Sequence, residues 1–169
     1  MGKRVIMSRI EIETYTAAWK FNRTKTLQSL EHVEKLPNPS AILGWRPGAG
    51  RAHCAWQWMH IAVTEELFAT SRLFGQEPGL SPFIERFRGG STPDDEIPDL
   101  STLRESLEVS RSHLLKAIEM FNDEDMNMIP EPIKDRGWSL RTVMQVLAWH
   151  EAHHQGQIHL TLNLWKNRL

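Results

Sequence analysis

Apolar residues along the chain recur at helical spacing in four long stretches, and no alternating apolar–polar pattern competes with them for strand. The first stretch runs from about Ser8 to Val33, where Ala17, Ala18, Phe21, Leu27, Leu30 and Val33 make an irregular stripe. Pro37-Asn38-Pro39 breaks it, and Trp45 to Gly50 has turn chemistry. A second helix is predicted from about Ala52 to Phe74. Gly75 to Leu100 then reads as a long Gly/Pro-rich loop, in which Phe83, Ile84 and Phe87 point to a part that packs down. Ser101 is the expected N-cap of the third helix, which carries Leu103, Leu107, Leu114, Leu115, Ile118 and Phe121. After Pro130 and Pro132, Ser139 is the expected cap of a last helix reaching about Lys166. The pattern predicts an all-α fold, a four-helix bundle with long connections at 34–51 and 75–100, in a single domain over residues 1–169.

The last helix carries the candidate chemistry. At ~100° per residue, Val143, Val146, Leu147, His154, Gln157, Thr161, Leu164 and Trp165 fall within roughly 60° of His150. His150 and His154 thus lie one turn apart in the middle of the expected buried face, with Gln157 and Thr161 continuing a polar line. Two imidazoles in a core demand a partner, and a metal ion satisfies both. The second helix supplies a third ring: His60 shares an inward sector with His53, Trp56, Val63, Thr64 and Leu67, whereas Glu65 and Glu66 point away. His53 lies two turns, about 10 Å, from His60 and reads as a helix cap or the mouth of a pocket. Three neutral histidines on facing helices would hold a divalent ion with positions left open for water or substrate. Imidazole suits zinc, nickel, iron and copper alike.

Other metal chemistries fit less well. His150-Glu151-x-x-His154 is formally the zinc-protease pattern, with Glu151 as base. The residues after His154 contain no Asp or Glu, however, and their one histidine, His159, points roughly 180° from His150. A ferritin-like di-metal site needs two Glu-x-x-His motifs, and only Glu151–His154 provides one.

Composition narrows the field further. A formal net charge of -1, with Lys and Arg scattered, gives no basic patch for nucleic acid. Cys54 is the only cysteine, which excludes an intramolecular disulfide and favours a reducing, cytoplasmic location. It reads as a buried thiol rather than a nucleophile. No apolar run approaches the ~20 residues that span a bilayer, so no membrane partner is expected.

Leu147-Ala148-Trp149-His150-Glu151-Ala152-His153-His154-Gln155-Gly156-Gln157-Ile158 resembles the His-x-x-x-His motif, followed by a basic or polar residue and Gly-Gln, of the DinB/YfiT-like family of small bacterial four-helix metalloproteins. Ala55-Trp56-Gln57-Trp58-Met59-His60-Ile61-Ala62 is similar to that family's second-helix segment with its lone metal histidine. The resemblance covers about residues 8 to 166. Gln155 stands where arginine is common, a departure that touches the neighbouring surface rather than the ligands. The resemblance implies His60, His150 and His154 as metal ligands, a homodimer, and a pocket opening from the metal between helices. It also implies a thiol-dependent transferase or related chemistry using a low-molecular-weight thiol, since characterised members include such enzymes.

The expected function is a metal-dependent transferase or hydrolase acting on a small electrophilic substrate. Gln157, Thr161 and His53 are candidates to orient substrate or water. A non-catalytic metal-binding stress or regulatory dimer is the alternative, and a metal-free hydrogen-bonded histidine cluster is a third reading.

Overall fold

The computed structural model describes residues 8–168, and these contain helices and turns but no strand. Four long helices carry the fold: α1 (Ile10–Glu34), α3 (Cys54–Leu67), α5 (Leu100–Ile118) and α6 (Leu140–Lys166). Two short ones, α2 (Pro39–Gly44) and α4 (Ser81–Phe87), lie in the two long connections. α3 runs on into a π-helical turn at Phe68–Arg72, and 3₁₀ turns at Asp123–Asn127 and Glu131–Arg136 link α5 to α6.

α3 is the central element. Every residue from Cys54 to Glu66 is buried, because α5 and α6 pack on it from two sides and α2 and α4 cover others. α1 closes the assembly against α6 and α5. Local chemistry sets the starts. Ser139 accepts from the Thr142 amide at the head of α6, as its sequence position predicts. Ser101 does not cap α5. Asp99 does, accepting from Thr102 N at 2.8 Å, and the Ser101 hydroxyl donates to the same carboxylate at 2.8 Å. An acceptor-only carboxylate outcompetes the hydroxyl two residues on, and the helix starts one residue before Ser101.

The inward face of α1 also differs from the expected stripe. Ala17, Ala18 and Phe21 are exposed, Phe21 to 63%. The buried line is Ile12, Trp19, Arg23, Thr26, Leu30 and Val33. Arg23 and Thr26 occupy core positions on that line, so the apolar residues alone misreport its direction.

The apolar core has two parts. One gathers around Leu30, Trp58, Met59, Phe87, Leu107 and Ile158, the other around Trp19, Phe68, Leu114, Met144 and Leu147. On each long helix a buried charged residue of one shared network falls between the residues of the two parts: Arg23 on α1, Glu65 on α3, Arg111 on α5 and Glu151 on α6. All four are buried and pair with one another. Arg23 bridges Glu65 at 2.8 Å and Glu151 at 2.7 Å, while Arg111 contacts both carboxylates in turn. Arg23 also donates to the Leu107 carbonyl. Burial pushes the Glu65 carboxyl upward, but Arg23 and Arg111 outweigh it and hold the group below its ordinary value.

A candidate metal centre of three histidines

Burial leaves the α6 histidines at an edge rather than in the middle of its buried face. That face runs through Met144, Leu147, Glu151, His154, Ile158 and Leu162, with Glu151 near its middle. His150 is half-buried. The ~100° offset between His150 and Glu151 lets one turn of helix serve two separate clusters.

His60, His150 and His154 do converge: one ligand atom from each lies within 4.8 Å of the others. The Nε2 atoms of His60 and His150 are 3.0 Å apart. The ring centroids of His154 lie 4.6 Å from His60 and 4.5 Å from His150. Two nitrogens on a tetrahedral ion with bonds of ~2.0–2.1 Å would stand about 3.3 Å apart, so this spacing suits an ion with little movement.

Two of the three remaining ring nitrogens are tied. His60 Nδ1 donates to the Phe87 carbonyl at 2.6 Å, which leaves its Nε2 a bare lone pair directed at the cluster. His154 Nδ1 donates to the Gln57 side-chain oxygen, with the same consequence for its Nε2. Trp56 stacks on His60, centroids 4.6 Å apart and planes 12° from parallel, and its indole N–H donates to the Arg86 carbonyl at 3.2 Å. Electrostatics keep the rings neutral. Burial, with His60 close by, pulls His150 down to about 3; burial, with His150 and His60 close by, pulls His154 down to about 2. Burial also lowers His60, partly opposed by its bond to Phe87. Two imidazoles oriented from behind and a third beside them, all held uncharged at neutral pH by burial, are a donor set that fits a divalent cation. Among the described residues no carboxylate or thiolate joins the group.

The other residues singled out from the sequence lie around this centre without touching the rings. His53 is the N-cap of α3: its Nδ1 accepts from Trp56 N at 3.0 Å and its Nε2 donates to the Asp94 carbonyl at 3.0 Å. Gln157 Nε2 sits 2.7 Å from the His153 ring, and Thr161 Oγ1 donates to the Gln157 carbonyl at 2.9 Å. Both line a cavity of ≈ 610 Å³ whose other walls include Arg51, Trp56, Gln57, Leu160 and Leu164. Cys54 is fully buried and burial pushes its thiol up to about 12, consistent with an inert core residue. Glu65 and Glu66 do point away from the histidines. Glu66 holds Gly79 N at 2.6 Å and His113 Nδ1 at 2.7 Å.

Two supporting contacts were not anticipated. Gln57 lies one turn before His60, and that i, i+3 spacing on an inward face was a readable signal. The Phe87 carbonyl had none beyond the Phe83, Ile84, Phe87 spacing, because backbone acceptors are invisible in side-chain patterns.

Comparison with protein-family models matches the DinB superfamily over residues 19–158, well over half of the chain, and the chain belongs to that family. Comparisons with curated proteins and with solved structures gave no match. No helix among the described residues is long and apolar enough to cross a membrane.

Proposed function

We propose that the protein is a metal-dependent enzyme in which His60, His150 and His154 hold one divalent ion, acting as a transferase or hydrolase on a small electrophile. The observation that carries this is the convergence of three neutral imidazoles within 4.8 Å, two of them with their second nitrogen fixed by Phe87 and Gln57. A bound divalent ion would lower the pKa of a thiol or water placed beside it, supplying a nucleophile at neutral pH. The chain's own residues do the rest. Gln57 and the Phe87 carbonyl hold the ring tautomers, Trp56 keeps bulk water from one face of His60, and the adjoining cavity receives substrate. Gln157 and Thr161, on its wall, are placed to orient it. Three ligands without a protein fourth favour an open, catalytic site over a closed one, and so favour an enzyme over the metal-binding regulatory alternative.

Thiol transfer, with a low-molecular-weight thiol as co-substrate, is our first choice among reactions because it is what the family resemblance implies. In this reading α1, α3, α5 and α6 are the four-helix bundle of one domain. A homodimer is part of the proposal, and Trp149, 61% exposed on α6, is a residue it would cover.

The deciding experiment is metal content by mass spectrometry on untagged protein purified without chelator, beside His154→Ala. About one equivalent in the parent and its loss in the variant are expected. No metal in the parent, and none taken up on reconstitution, would overturn the proposal and leave a hydrogen-bonded histidine core.

A further inference from the structure

The cavity beside the triad carries charge information of its own. Its walls combine apolar surface from Trp56, Leu160 and Leu164 with the polar ends of Gln57, Gln157 and Thr161, and no acidic residue lines it. One charged side chain does: Arg51. Arg46, Arg51 and Arg86 stand in this part of the molecule, and they differ sharply. Arg86 is paired with Asp94 at 2.8 Å and donates to the Glu96 carbonyl. Arg46 is paired with Asp95 at 2.8 Å and donates to the carbonyls of Pro93, Asp94 and Arg51. Arg51, among the described residues, has no carboxylate partner for its exposed side chain.

The same contacts fix where Arg51 stands. Arg46 grips the Arg51 carbonyl at 3.0 Å with one nitrogen and the segment at Pro93–Asp95 with the other. It thereby ties the two loops that form the cavity mouth, each contributing a proline, Pro47 and Pro93, to the lining. The backbone beneath Arg51 is preorganised, while its guanidinium is left free. The inner wall, Gln57 and Trp56, touches the histidines directly, through His154 and His60 respectively.

We propose that Arg51 is the anion-recognition end of this cavity, and that the molecule bound there is a small carboxylate-bearing compound whose other end reaches the histidine triad. A guanidinium presents a planar fork that matches a carboxylate with two parallel hydrogen bonds. Apolar contacts along Leu160 and Leu164 would hold the short chain between the two ends. The inference rests on the triad being the metal centre, and it adds the class of ligand that centre receives.

The test uses the full chain loaded with cobalt(II), whose visible spectrum reports a thiol entering the coordination sphere. Parent and Arg51→Gln are titrated with 3-mercaptopropionate and with 3-mercapto-1-propanol, which share a thiol and differ in the carboxylate. The parent is expected to bind the carboxylate compound about tenfold more tightly or better, the size of one hydrogen bond to a charged group, and the variant to lose that preference. Arg51→Gln leaves Arg46's grip intact, because that contact uses the Arg51 carbonyl. Cobalt binding with equal affinity for the two thiols would overturn the Arg51 assignment and leave the metal reading standing. Failure to bind cobalt would overturn the metal reading. In that case nitrogen-15 NMR of the metal-free protein decides the subsite: shifts of the Arg51 Nε and the Gln57 and Gln157 amides with pentanoate but not 1-pentanol support it, and no shifts overturn it.

Discussion

Two buried polar clusters sit side by side in this molecule and solve opposite problems. The Arg23–Glu65–Arg111–Glu151 layer pairs charge with charge: two cations and two carboxylates, one from each long helix, bridge one another between two apolar cores, with Arg111 Nη1 alone of their buried polar atoms lacking a partner among the described residues. The histidine cluster is open. Two of its rings are held from behind, the inner nitrogens of His60 and His150 stand 3.0 Å apart, and burial keeps the rings uncharged. A self-neutralising network holds helices in place and carries no net charge to offer a ligand. A set of uncharged rings joined to one another by a single contact at 3.0 Å stabilises little by itself and is available to bind. The two kinds of cluster meet on α6, where Glu151 of the first is adjacent to His150 of the second.

The largest expected effect breaks the closed cluster. Glu65→Ala leaves two buried guanidiniums short of an acceptor, and loss of one member of a buried ion pair costs about 3–5 kcal/mol. Thermal unfolding should show a large fall in melting temperature, whereas a combined apolar replacement of all four residues should fall less. If the single and fourfold variants lose the same stability, the layer is not acting as a unit.

Acid separates the two clusters by pH. His150 and His154 are lowered in the folded protein, so their contribution is fully present above the unfolded value of about 6.5 and is lost as pH falls from there toward about 3 and 2. Metal-free protein should lose on the order of 1 kcal/mol per pH unit for each ring over that descent. Glu65 is also lowered, so its contribution is retained to below its unfolded value of 4.5 and disappears only at stronger acidity. Melting temperatures recorded from pH 7.5 to 3 should therefore fall in two stages. His150→Gln should weaken the first, and a single transition near pH 4 would argue that the rings are not kept neutral.

The smallest effect tests orientation. Gln57→Leu removes the acceptor behind His154 while keeping the side chain's bulk, and losses of such supporting contacts typically weaken metal affinity about 10–100-fold. Competition with a chelator of known affinity measures this. Unchanged affinity would mean that the Gln57 contact sets nothing at the metal.

These contrasts explain which parts of the fold and site were legible in the sequence. Helical spacing located the long helices and brought His60, His150 and His154 together, because apolar neighbours on α3 and α6 mark the inward sides. It misjudged α1, where buried Arg23 and Thr26 replace apolar residues, and it centred the α6 face on His150 instead of Glu151. A charged residue inside a helix reads as solvated unless its partners are known. The partners of Glu65 lie 42 and 46 residues away on other helices. The 75–100 connection hid α4 for a related reason: one short helix between glycines and prolines has too few turns to show a period, yet its carbonyls hold His60 and Trp56.

The turn from His150 to His154 sets where the chain tolerates changes in length. Sliding α6 by one residue would rotate it by ~100° and shift it ~1.5 Å, withdrawing Glu151 from both arginines and both rings from His60 together. An insertion or deletion between Leu140 and His150 has no small consequence, because no intermediate register satisfies either cluster. The 3₁₀ turns at 123–136, which precede this helix, are where added or missing residues can be absorbed. Relatives that vary in length are expected to vary there, while the spacing from Leu140 to His154 stays fixed.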